Sequence, residues 1–499
     1  MWEIVDLEDY DAFNIRQELQ EFLRDEGLRQ LDRCTLGVRE AVVKSIYAKN
    51  LTDKQKENLE LVKSGNAYVV TVSHQPHLLG GPVFVLYKAL QAIALAETIS
   101  EETGEPTVPI FWVHSDDHDW QELTTITIKN KEFSGFKERS DPFGFADVDD
   151  EVREYIRQVV SHFPNAKFMA DFYRQGLRLA DAFVDLMNFF LGDTGILFLD
   201  SGSSDVCKEL IPFIKADLIE DRIYPIVAKT NEDWRSKGWK PIINPMRTNT
   251  FYIDNSGRRA KVIRKSDDSF IVGDAVMNKD ELLAEIETHP EKFSPGVAVR
   301  ILWQEHLLNS CAFTGGSTEI LYWYQLIPLF REMGIKVPAL FLRHSLFVVS
   351  EKIFPVVERL GGFKEFVVSW EELQAKAIKS VLPEWFPEGE LVNKCRELEN
   401  LVDSVKRADV RSFLAGRLRK LAKQWNKEVR KARKMLIGPE LERIKRVHEQ
   451  LMPLGKWQER TISLLEFVDR YGTEGVRALI TAYPRNKESK VAFIKRKGE

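Results

Sequence analysis

The hydrophobic pattern predicts a strand–helix–strand unit in the first quarter of the chain. Residues 67–72 form a short β-branched run, typical of a buried parallel strand. Apolar residues then recur at helical spacing over residues 83–99, Gly104 ends that helix, and residues 107–113 form a second apolar strand. Such a unit is right-handed and makes its two strands parallel, so the loops that follow them lie at one sheet edge.

The alternation of strands and helices continues along the chain and predicts an α/β fold. Residues 10–63 are rich in helix formers and lack strong strand signals. The further predicted strands are residues 195–200, 311–314 and 337–342, and the further predicted helices are residues 169–191 and 317–333.

Residues 221–290 have a different pattern. Two short apolar runs, residues 250–253 and 261–263, flank an Asn-Ser-Gly turn at residues 255–257, which predicts a β-hairpin. We interpret this stretch as an insertion with its own small sheet.

The C-terminal third is predicted to be helical. Apolar residues recur there at spacings of four and three, close to a coiled-coil seam of about three heptads. Gly438-Pro439 is expected to interrupt this helix. The seam residues are Leu414, Leu418, Leu421, Trp425, Val429, Ala432 and Leu436.

Composition restricts the class of protein. A chain of 499 residues predicts more than one domain, and a net charge of -5 gives no general attraction to nucleic acid. Residues 1–10 do not have the pattern of a signal peptide, and no apolar run is long enough for a membrane helix. The four cysteines are far apart, so we expect neither a zinc site nor a disulfide framework, and a cytoplasmic location.

Two loops after the first two strands carry candidate chemistry. In residues 73–82, His74 and His77 are candidates for binding an anion or transferring a proton, with helix capping as the alternative. In residues 114–119, five of six side chains are titratable, which strand packing does not require. Because ligands bind at this edge of α/β sheets, both loops are predicted to form the active site.

A glycine-rich turn and several cations are weaker candidates. Gly315-Gly316 precedes a helix, and Ser317 is a plausible N-cap, so either anion binding or simple capping explains the turn. Arg300 and Arg343 end apolar elements and are candidate carboxylate ligands. Lys88 either reaches back towards the first loop or faces solvent, and we expect it to face solvent. The basic stretch at residues 417–434 is interpreted as a solvated helix face, and the chain lacks a Walker A pattern.

Taken in order, these motifs resemble the BshC family, the cysteine-adding enzymes of bacillithiol biosynthesis. The resemblance extends from about residue 65 to the C-terminus. The segments that carry it are residues 73–82 (SHQPHLLGGP) with 86–89 (LYKA), 109–112 (PIFW) with 117–119 (DHD), 293–300 (FSPGVAVR), 315–316 (GG) with 319–320 (EI) and 322–323 (YW), and 458–460 (QER) with 471–472 (YG).

The resemblance implies a Rossmann-like parallel-sheet core with inserted connecting segments and a C-terminal α-helical coiled coil that forms a homodimer. It implies that the enzyme joins the carboxyl group of cysteine to the amine of glucosaminyl-malate. Adenine nucleotide binding is associated with the family, so ATP or ADP is the candidate cofactor, and no residue is assigned to a metal. The expected domains are residues 1–220 and 291–370 for the core, 221–290 for the insertion, 371–455 for the coiled coil and 456–499 for a helical segment that returns to the core.

Some positions depart from the family pattern. The family usually has Gly-Gln-Gln at residues 73–75, Glu at Asp116 and Pro-Gly at residues 317–318. His74, His77 and Asp116 are therefore this chain's own. The expected catalytic residues are His118, Asp117, Asp119 and Gln75, and the expected substrate-binding residues are His74, His77, Arg300, Arg343, Gly315, Gly316 and Glu319.

Two other functions are compatible with the same residues. The histidines and aspartates of the two loops suit a metal-dependent hydrolase that acts on a small anionic or sugar substrate. A non-enzymatic coiled-coil protein whose core only binds a ligand is the other alternative.

Overall fold

The computed structural model describes residues 2–496 except residues 11, 12, 14, 15, 32, 33, 129, 137, 138, 140, 384, 385, 387 and 486. The side chains of residues 388–392 and 395 are also outside the description. The chain divides into two units, a core unit of Met1–Val348 with Glu459–Gly498 and a helical unit beginning at Val349 and ending at Gln458. The insertion at residues 221–290 belongs to the core unit, and the helical unit begins before residue 371.

The described strands all lie in the core unit. They are β1 (Trp2–Asp9), β2 (Tyr68–His74), β3 (Thr107–Val113), β4 (Ile126–Ile128), β5 (Lys131–Phe133), β6 (Leu197–Asp200), β7 (Thr250–Ile253), β8 (Arg259–Lys261), β9 (Ile263–Ser266), β10 (Ser269–Val272), β11 (Ala275–Met277), β12 (Phe293–Pro295), β13 (Ala312–Gly315), β14 (Ala339–Leu342), β15 (Ser345–Val348) and β16 (Lys490–Arg496).

The described helices of the core unit surround these strands. They are α1 (Gln17–Arg24), α2 (Glu40–Ser45), α3 (Asp53–Lys63), α4 (Phe84–Thr103), α5 (Trp120–Thr124), α6 (Asp150–Val160), α7 (Leu179–Leu191), α8 (Ser204–Lys208), α9 (Ile211–Leu218), α10 (Ile223–Ser236), α11 (Lys279–Thr288), α12 (Val297–Leu308), α13 (Ser317–Glu332) and α19 (Leu464–Ala482). The helical unit contains α14 (Phe354–Leu360), α15 (Trp370–Val381), α16 (Glu388–Asp403) and α17 (Ala408–Leu451), and α18 (Gln458–Thr461) lies at its end.

A five-stranded parallel sheet forms the centre of the core unit. Its order is β14-β13-β2-β3-β6, and every neighbouring pair is parallel. The register of β2 and β3 runs from Tyr68 opposite Thr107 to His74 opposite Val113. The predicted α/β class and the parallel pairing of the first two strands are confirmed.

Residues 85–96 of helix α4 are buried on every side because this part of the helix is apolar almost throughout. It packs on β2, β3 and β13. Two polar side chains, Lys88 and Gln91, are buried with it, and buried polar groups require partners. The Gln91 amide oxygen accepts a hydrogen bond from the backbone N–H of His344 at 3.0 Å.

The inserted segment contributes two small antiparallel sheets, β12-β7-β8 and β11-β10-β9. The predicted hairpin is confirmed, since β7 pairs antiparallel with β8. Asp217, in α9, anchors this segment by accepting hydrogen bonds from the backbone and side chain of Asn249 and from the Thr250 hydroxyl, at 2.7 to 2.8 Å. These hydrogen bonds hold the hairpin next to the edge of the central sheet.

A three-stranded sheet brings the two chain ends of the core unit together. Strand β16 pairs antiparallel with β1 and parallel with β15. The pattern of residues 2–9 did not predict β1, because this strand depends on a partner near residue 490. The start predicted for the helix at 169–191 is also wrong. A 3-10 run (Pro164–Phe172) and a turn with Gly176 at φ +73° precede α7, so the α-helix begins only at Leu179.

A buried ion pair fixes the C-terminal segment of the core unit. The Arg343 guanidinium donates two hydrogen bonds to the Glu459 carboxylate, at 2.8 and 2.6 Å, and both side chains are buried. The same carboxylate accepts from the Ser345 hydroxyl and the Leu346 backbone N–H. These hydrogen bonds offset much of the cost of removing both charges from water.

Cys34 and Cys311 form a disulfide with Cα atoms 4.4 Å apart. The expectation of no disulfide is wrong for this pair. The two cysteines are separated by 277 residues in sequence, so their spacing could not reveal that the start of β13 meets the loop before α2. Among the described residues, no helix is both long and apolar enough to cross a membrane.

Helix α17 of the helical unit has 44 residues and continues through Pro439. The predicted interruption at Gly438-Pro439 is wrong, because one proline removes one backbone hydrogen bond and a long helix on both sides retains the rest. Much of the predicted seam is exposed in this chain. Leu421 is 63% exposed and Trp425 is 49% exposed.

Candidate active site

The site lies where the order of the central sheet reverses. From β2 the chain proceeds to β3 and β6 on one side, and β13 returns to the other side of β2. Right-handed connections then place α4 and α13 on opposite faces of the sheet. The carboxyl ends of β2 and β13 consequently border a crevice, which is where ligands bind in open α/β sheets.

A buried ion pair crosses this crevice. The Lys88 Nζ lies 2.5 Å from a Glu319 carboxylate oxygen and donates to the Ser73 carbonyl at 3.1 Å. Lys88 therefore faces the site, and its predicted exposure to solvent is wrong. The same Glu319 oxygen accepts from the Gly316 backbone N–H at 2.9 Å, and Gly316, not Ser317, is the N-cap of α13. This N–H is thus already occupied within the protein.

Three histidines lie buried around this ion pair. Burial, followed by the charge of Lys88, holds the pKa of His74 well below its ordinary value. The same causes lower the pKa of His77 to about 4. Burial, followed by Arg300 and Lys88, places the pKa of His114 well below its ordinary value. These three imidazoles are neutral near neutral pH, so they do not offer positive charge to an anion.

The two loops meet through Gln75 and Asp117. The Gln75 amide donates to the Asp117 carboxylate at 3.0 Å. The other Asp117 oxygen accepts the backbone N–H groups of His118, at 2.7 Å, and Asp119, at 3.2 Å. Burial raises the pKa of the Asp117 carboxyl, but the Gln75 hydrogen bond and the nearby Arg259 outweigh it, and the pKa lies below its ordinary value. Asp117 is therefore ionised.

Neither Asp117 nor Asp119 forms a hydrogen bond with the His118 ring. Its Nδ1 lies 3.8 Å from the Asp117 carboxylate, beyond hydrogen-bond distance, and 3.2 Å from Nη1 of Arg259. Asp119 instead caps α5 by accepting the Glu122 backbone N–H at 2.9 Å. The ring partner of His118 thus comes from the inserted hairpin.

Arg259 also connects to the acidic loop through a serine. Its Nε donates to the Ser294 hydroxyl at 2.8 Å, and that hydroxyl donates to the Asp116 carboxylate at 2.5 Å. The guanidinium lies 3.8 Å from the centroid of the Phe251 ring. Strands β7, β8 and β12 together hold this arginine at the sheet edge.

Two adjoining cavities occupy the site. The first, which we call the switch-point cavity, has a volume of about 350 Å³ and is lined by both loops, Lys88, Glu319, Tyr322, Arg343 and Arg460, among others. The second, the insert cavity, has a volume of about 400 Å³ and is lined by residues of the insertion, including Asn249 and Arg259, and by Asp116. The residues common to both linings are His114, Asp117, Val297 and Arg300.

Only some of the predicted site residues line the two cavities. His77 is packed against His74, with ring centroids 5.0 Å apart, and lines neither cavity. Gly315, His118 and Asp119 also line neither, although His118 contacts Arg259 at the insert cavity. The predicted residues that line the switch-point cavity are His74, Gln75, Asp117, Arg300, Gly316, Glu319 and Arg343.

The two predicted arginines differ in their partners. Arg343 is engaged by Glu459, as described above. Arg300 donates to the Tyr322 hydroxyl at 3.2 Å, and its buried Nε has no partner among the described residues. The Nε of Arg343 is also buried without a partner among the described residues, but both of its terminal nitrogens are bonded to Glu459, so Arg300 is the better placed of the two to receive a carboxylate.

Sequence reasoning missed Lys88, Arg259, Tyr322 and Arg460 as residues of the site. Lys88 carried a usable signal, because it is the one cation within an otherwise apolar helix. Arg259 carried none, since its position depends on how the inserted hairpin folds. Within the described part of the chain, no group of three or more His, Cys, Asp or Glu side chains is arranged to hold a metal ion.

Comparison with known proteins identifies the family to which this chain belongs. Residues 10–344 match the family model described as the bacillithiol biosynthesis BshC N-terminal Rossmann-like domain, and residues 401–490 match the BshC C-terminal coiled-coil domain. A Flavobacterium johnsoniae protein named "Putative cysteine ligase BshC" is 28% identical over 454 residues, covering 86% of this chain and 84% of that protein. Two relatives with the same name are each 26% identical to this chain. The match with the Christiangramia forsetii protein covers 88% of this chain and 85% of that protein. The match with the Bacillus cereus protein covers 84% of this chain and 83% of that protein.

Glu319→Gln tests the ion pair at the crevice. The substitution leaves the Lys88 ammonium buried without a counter-charge, so we expect the free energy of unfolding to fall by about 3 kcal/mol in urea denaturation. The double variant Lys88→Met/Glu319→Gln should recover most of that loss, because it removes the buried charge. Glu60→Gln, which breaks the exposed pair with Lys63, serves as the control and should cost less than about 1 kcal/mol. A Glu319→Gln cost no larger than that of the control would contradict this account of the pair.

Proposed function

Because the chain belongs to the BshC family of bacillithiol biosynthesis, we propose that it is a ligase that forms an amide bond between the carboxyl group of cysteine and the amine of glucosaminyl-malate. The observation that carries this proposal is the pair of adjoining cavities with Asp117 and Arg300 on their shared border. A two-substrate condensation needs the reactants on either side of one point, and this border provides such a point.

The charges around the border suit a carboxylate and an amine. Arg300 has an unpartnered Nε to donate to a carboxylate oxygen. The Asp117 carboxylate, which is ionised, attracts the ammonium form of an approaching amine. In this scheme cysteine occupies the switch-point cavity and glucosaminyl-malate occupies the insert cavity. His118, at the edge of the insert cavity, accepts the proton that the amine must lose before it attacks.

A carboxylate resists attack by an amine, so the proposal includes an activating nucleotide, ATP. When bound, ATP would supply the phosphoryl or adenylyl group that activates the carboxyl. Arg460, exposed at the switch-point cavity, would hold the anionic part of the nucleotide. The Gly316 N–H would not take part, because Glu319 already occupies it.

The helical unit supports a second part of the proposal. We propose that two copies of this chain associate through the seam of α17, since the exposed side chains Leu414, Leu421 and Trp425 are those with coiled-coil spacing. The cytoplasmic location expected from the sequence remains a prediction, as does the lack of a nucleic-acid partner.

The ligase activity is tested by incubating the protein with cysteine, glucosaminyl-malate and ATP and measuring the product mass. We expect the conjugate to form, with loss of one water in mass. Asp117→Asn and His118→Gln should each lower its rate by about 100-fold or more, the usual size of an acid–base contribution. His162→Gln, an exposed histidine of neither cavity, is the control and should retain full activity. If the wild-type protein makes no conjugate with any nucleotide, the proposed reaction is wrong.

The dimer is tested by Leu421→Glu and Trp425→Glu, measured by sedimentation equilibrium. Each variant places a charge in the proposed apolar seam, so we expect wild-type dimers to become monomers. Val276→Glu replaces an apolar residue that is 64% exposed but lies in the core unit, and it should leave the dimer intact. A wild-type protein that sediments as a monomer would refute the association.

A further inference from the structure

We infer that Arg259 is a positioning residue that occupies the base nitrogen of His118 until a carboxylate of the acceptor substrate enters the insert cavity. This inference rests on the proposed function, because it assigns the insert cavity to the acceptor. It adds a device that neither the family nor the proposed reaction requires. Binding of the acceptor substrate would itself free Nδ1 of His118 to act as the base.

The contact between the two side chains fixes which ring nitrogen carries the lone pair. Nη1 of Arg259 lies 3.2 Å from Nδ1 of His118, and a guanidinium can only donate. Nδ1 is then the acceptor, and the proton of the neutral ring lies on Nε2. In this state the ring has no second lone pair, so His118 cannot take a proton from an amine unless Arg259 leaves Nδ1.

Arg259 is anchored on one side and open on the other. Its Nε is held by the Ser294 hydroxyl, and the guanidinium lies over the Phe251 ring. Its Nη atoms face His118, and the side chain lines the insert cavity. Among the described residues, no Asp or Glu oxygen forms an ion pair with Arg259 or with Arg300, which lines the same cavity.

Two neighbouring arginines without carboxylate partners favour a carboxylate ligand. Burial lowers the pKa of Arg259. The carboxylates of Asp116 and Asp117 act in the opposite direction, and the positive charge of Arg300 lowers the pKa further. The two guanidinium groups therefore repel each other. A carboxylate between them removes that repulsion. A charge-assisted guanidinium–carboxylate bond is also stronger than a bond from guanidinium to a neutral imidazole, so the ligand displaces His118 from Arg259.

Release of Nδ1 has a chemical consequence. The acceptor ammonium transfers one proton to Nδ1, and the free amine then forms the C–N bond while the C–O bond to the activating phosphoryl or adenylyl group breaks. Phosphate or AMP leaves, the amide nitrogen loses its second proton to solvent, and the imidazolium returns its proton to solvent. Before the acceptor binds, Arg259 keeps the Nδ1 lone pair of His118 from activating a water molecule. The acidic ligand that this device recognises is a malate-type dicarboxylate.

Nitrogen NMR of the full-length protein labelled with ¹⁵N-histidine tests the inference without turnover. The His118 signals are assigned by their loss in His118→Gln. In the free wild-type protein we expect an unprotonated Nδ1 that accepts the hydrogen bond from Arg259. Addition of malate should remove the hydrogen bond from Arg259 and shift the Nδ1 resonance downfield, towards an unprotonated nitrogen that accepts no hydrogen bond. Arg259→Gln should show that shift without malate, and no further shift when malate is added.

Arg258→Gln is the matched control, because Arg258 lies next to Arg259 but pairs with Asp254 and Asp274. Its spectrum should equal that of the wild type, with and without malate. Cysteine and inorganic phosphate at the same concentration distinguish the source of the anion and should leave Nδ1 unshifted.

Three results would overturn the inference: a protonated Nδ1 in the free protein, no shift at saturating malate, or an unchanged Nδ1 in Arg259→Gln. An equal shift with cysteine or phosphate would overturn the assignment to the acceptor. Because no product is measured, a protein that shows the predicted shifts but makes no conjugate would refute the proposed reaction alone.

Discussion

The buried ion pair of Lys88 and Glu319 is the constraint on which the rest of the site depends. Residues 85–96 of helix α4 are buried on every side, and the single cation of the helix, Lys88, is buried with them. A buried ammonium must find a carboxylate, and Glu319 supplies one from the helix across the crevice. This pairing joins the two halves of the sheet edge. It also occupies Glu319 and the Gly316 N–H, so substrate recognition is left to other groups.

Burial gives the histidines and the arginines of the site different roles. His74, His77 and His114 are enclosed beside Lys88, and this keeps them uncharged. Positive charge available to a substrate therefore comes from Arg300 and Arg259, which have no carboxylate partner among the described residues. The family motif Gly-Gln-Gln is replaced here by Ser73-His74-Gln75, yet Gln75 keeps its contact with Asp117. In our account the two histidines of the first loop shape the cavity, and the arginines hold the anions.

The sequence was sufficient to predict what local patterns determine. The strand at residues 107–113 has the predicted bounds, and β2 pairs with it in parallel as expected. The meeting of the two loops followed from that pairing. Arg259 could not be predicted, because an inserted hairpin places it, and β1 depends on a partner near the other end of the chain. Pro439 failed as a helix breaker, since the length of α17 outweighs one missing hydrogen bond. Long-range contacts account for most of what was missed.

The central claim is that the two reactants meet at the border of the two cavities. A crystal structure of the protein with cysteine and glucosaminyl-malate, without nucleotide, tests it most directly. We expect the cysteine carboxyl carbon and the sugar amine to lie within about 4 Å of each other, beside Asp117 and Arg300. A structure in which either ligand lies outside both cavities, or in which the amine is remote from Asp117, would contradict the account.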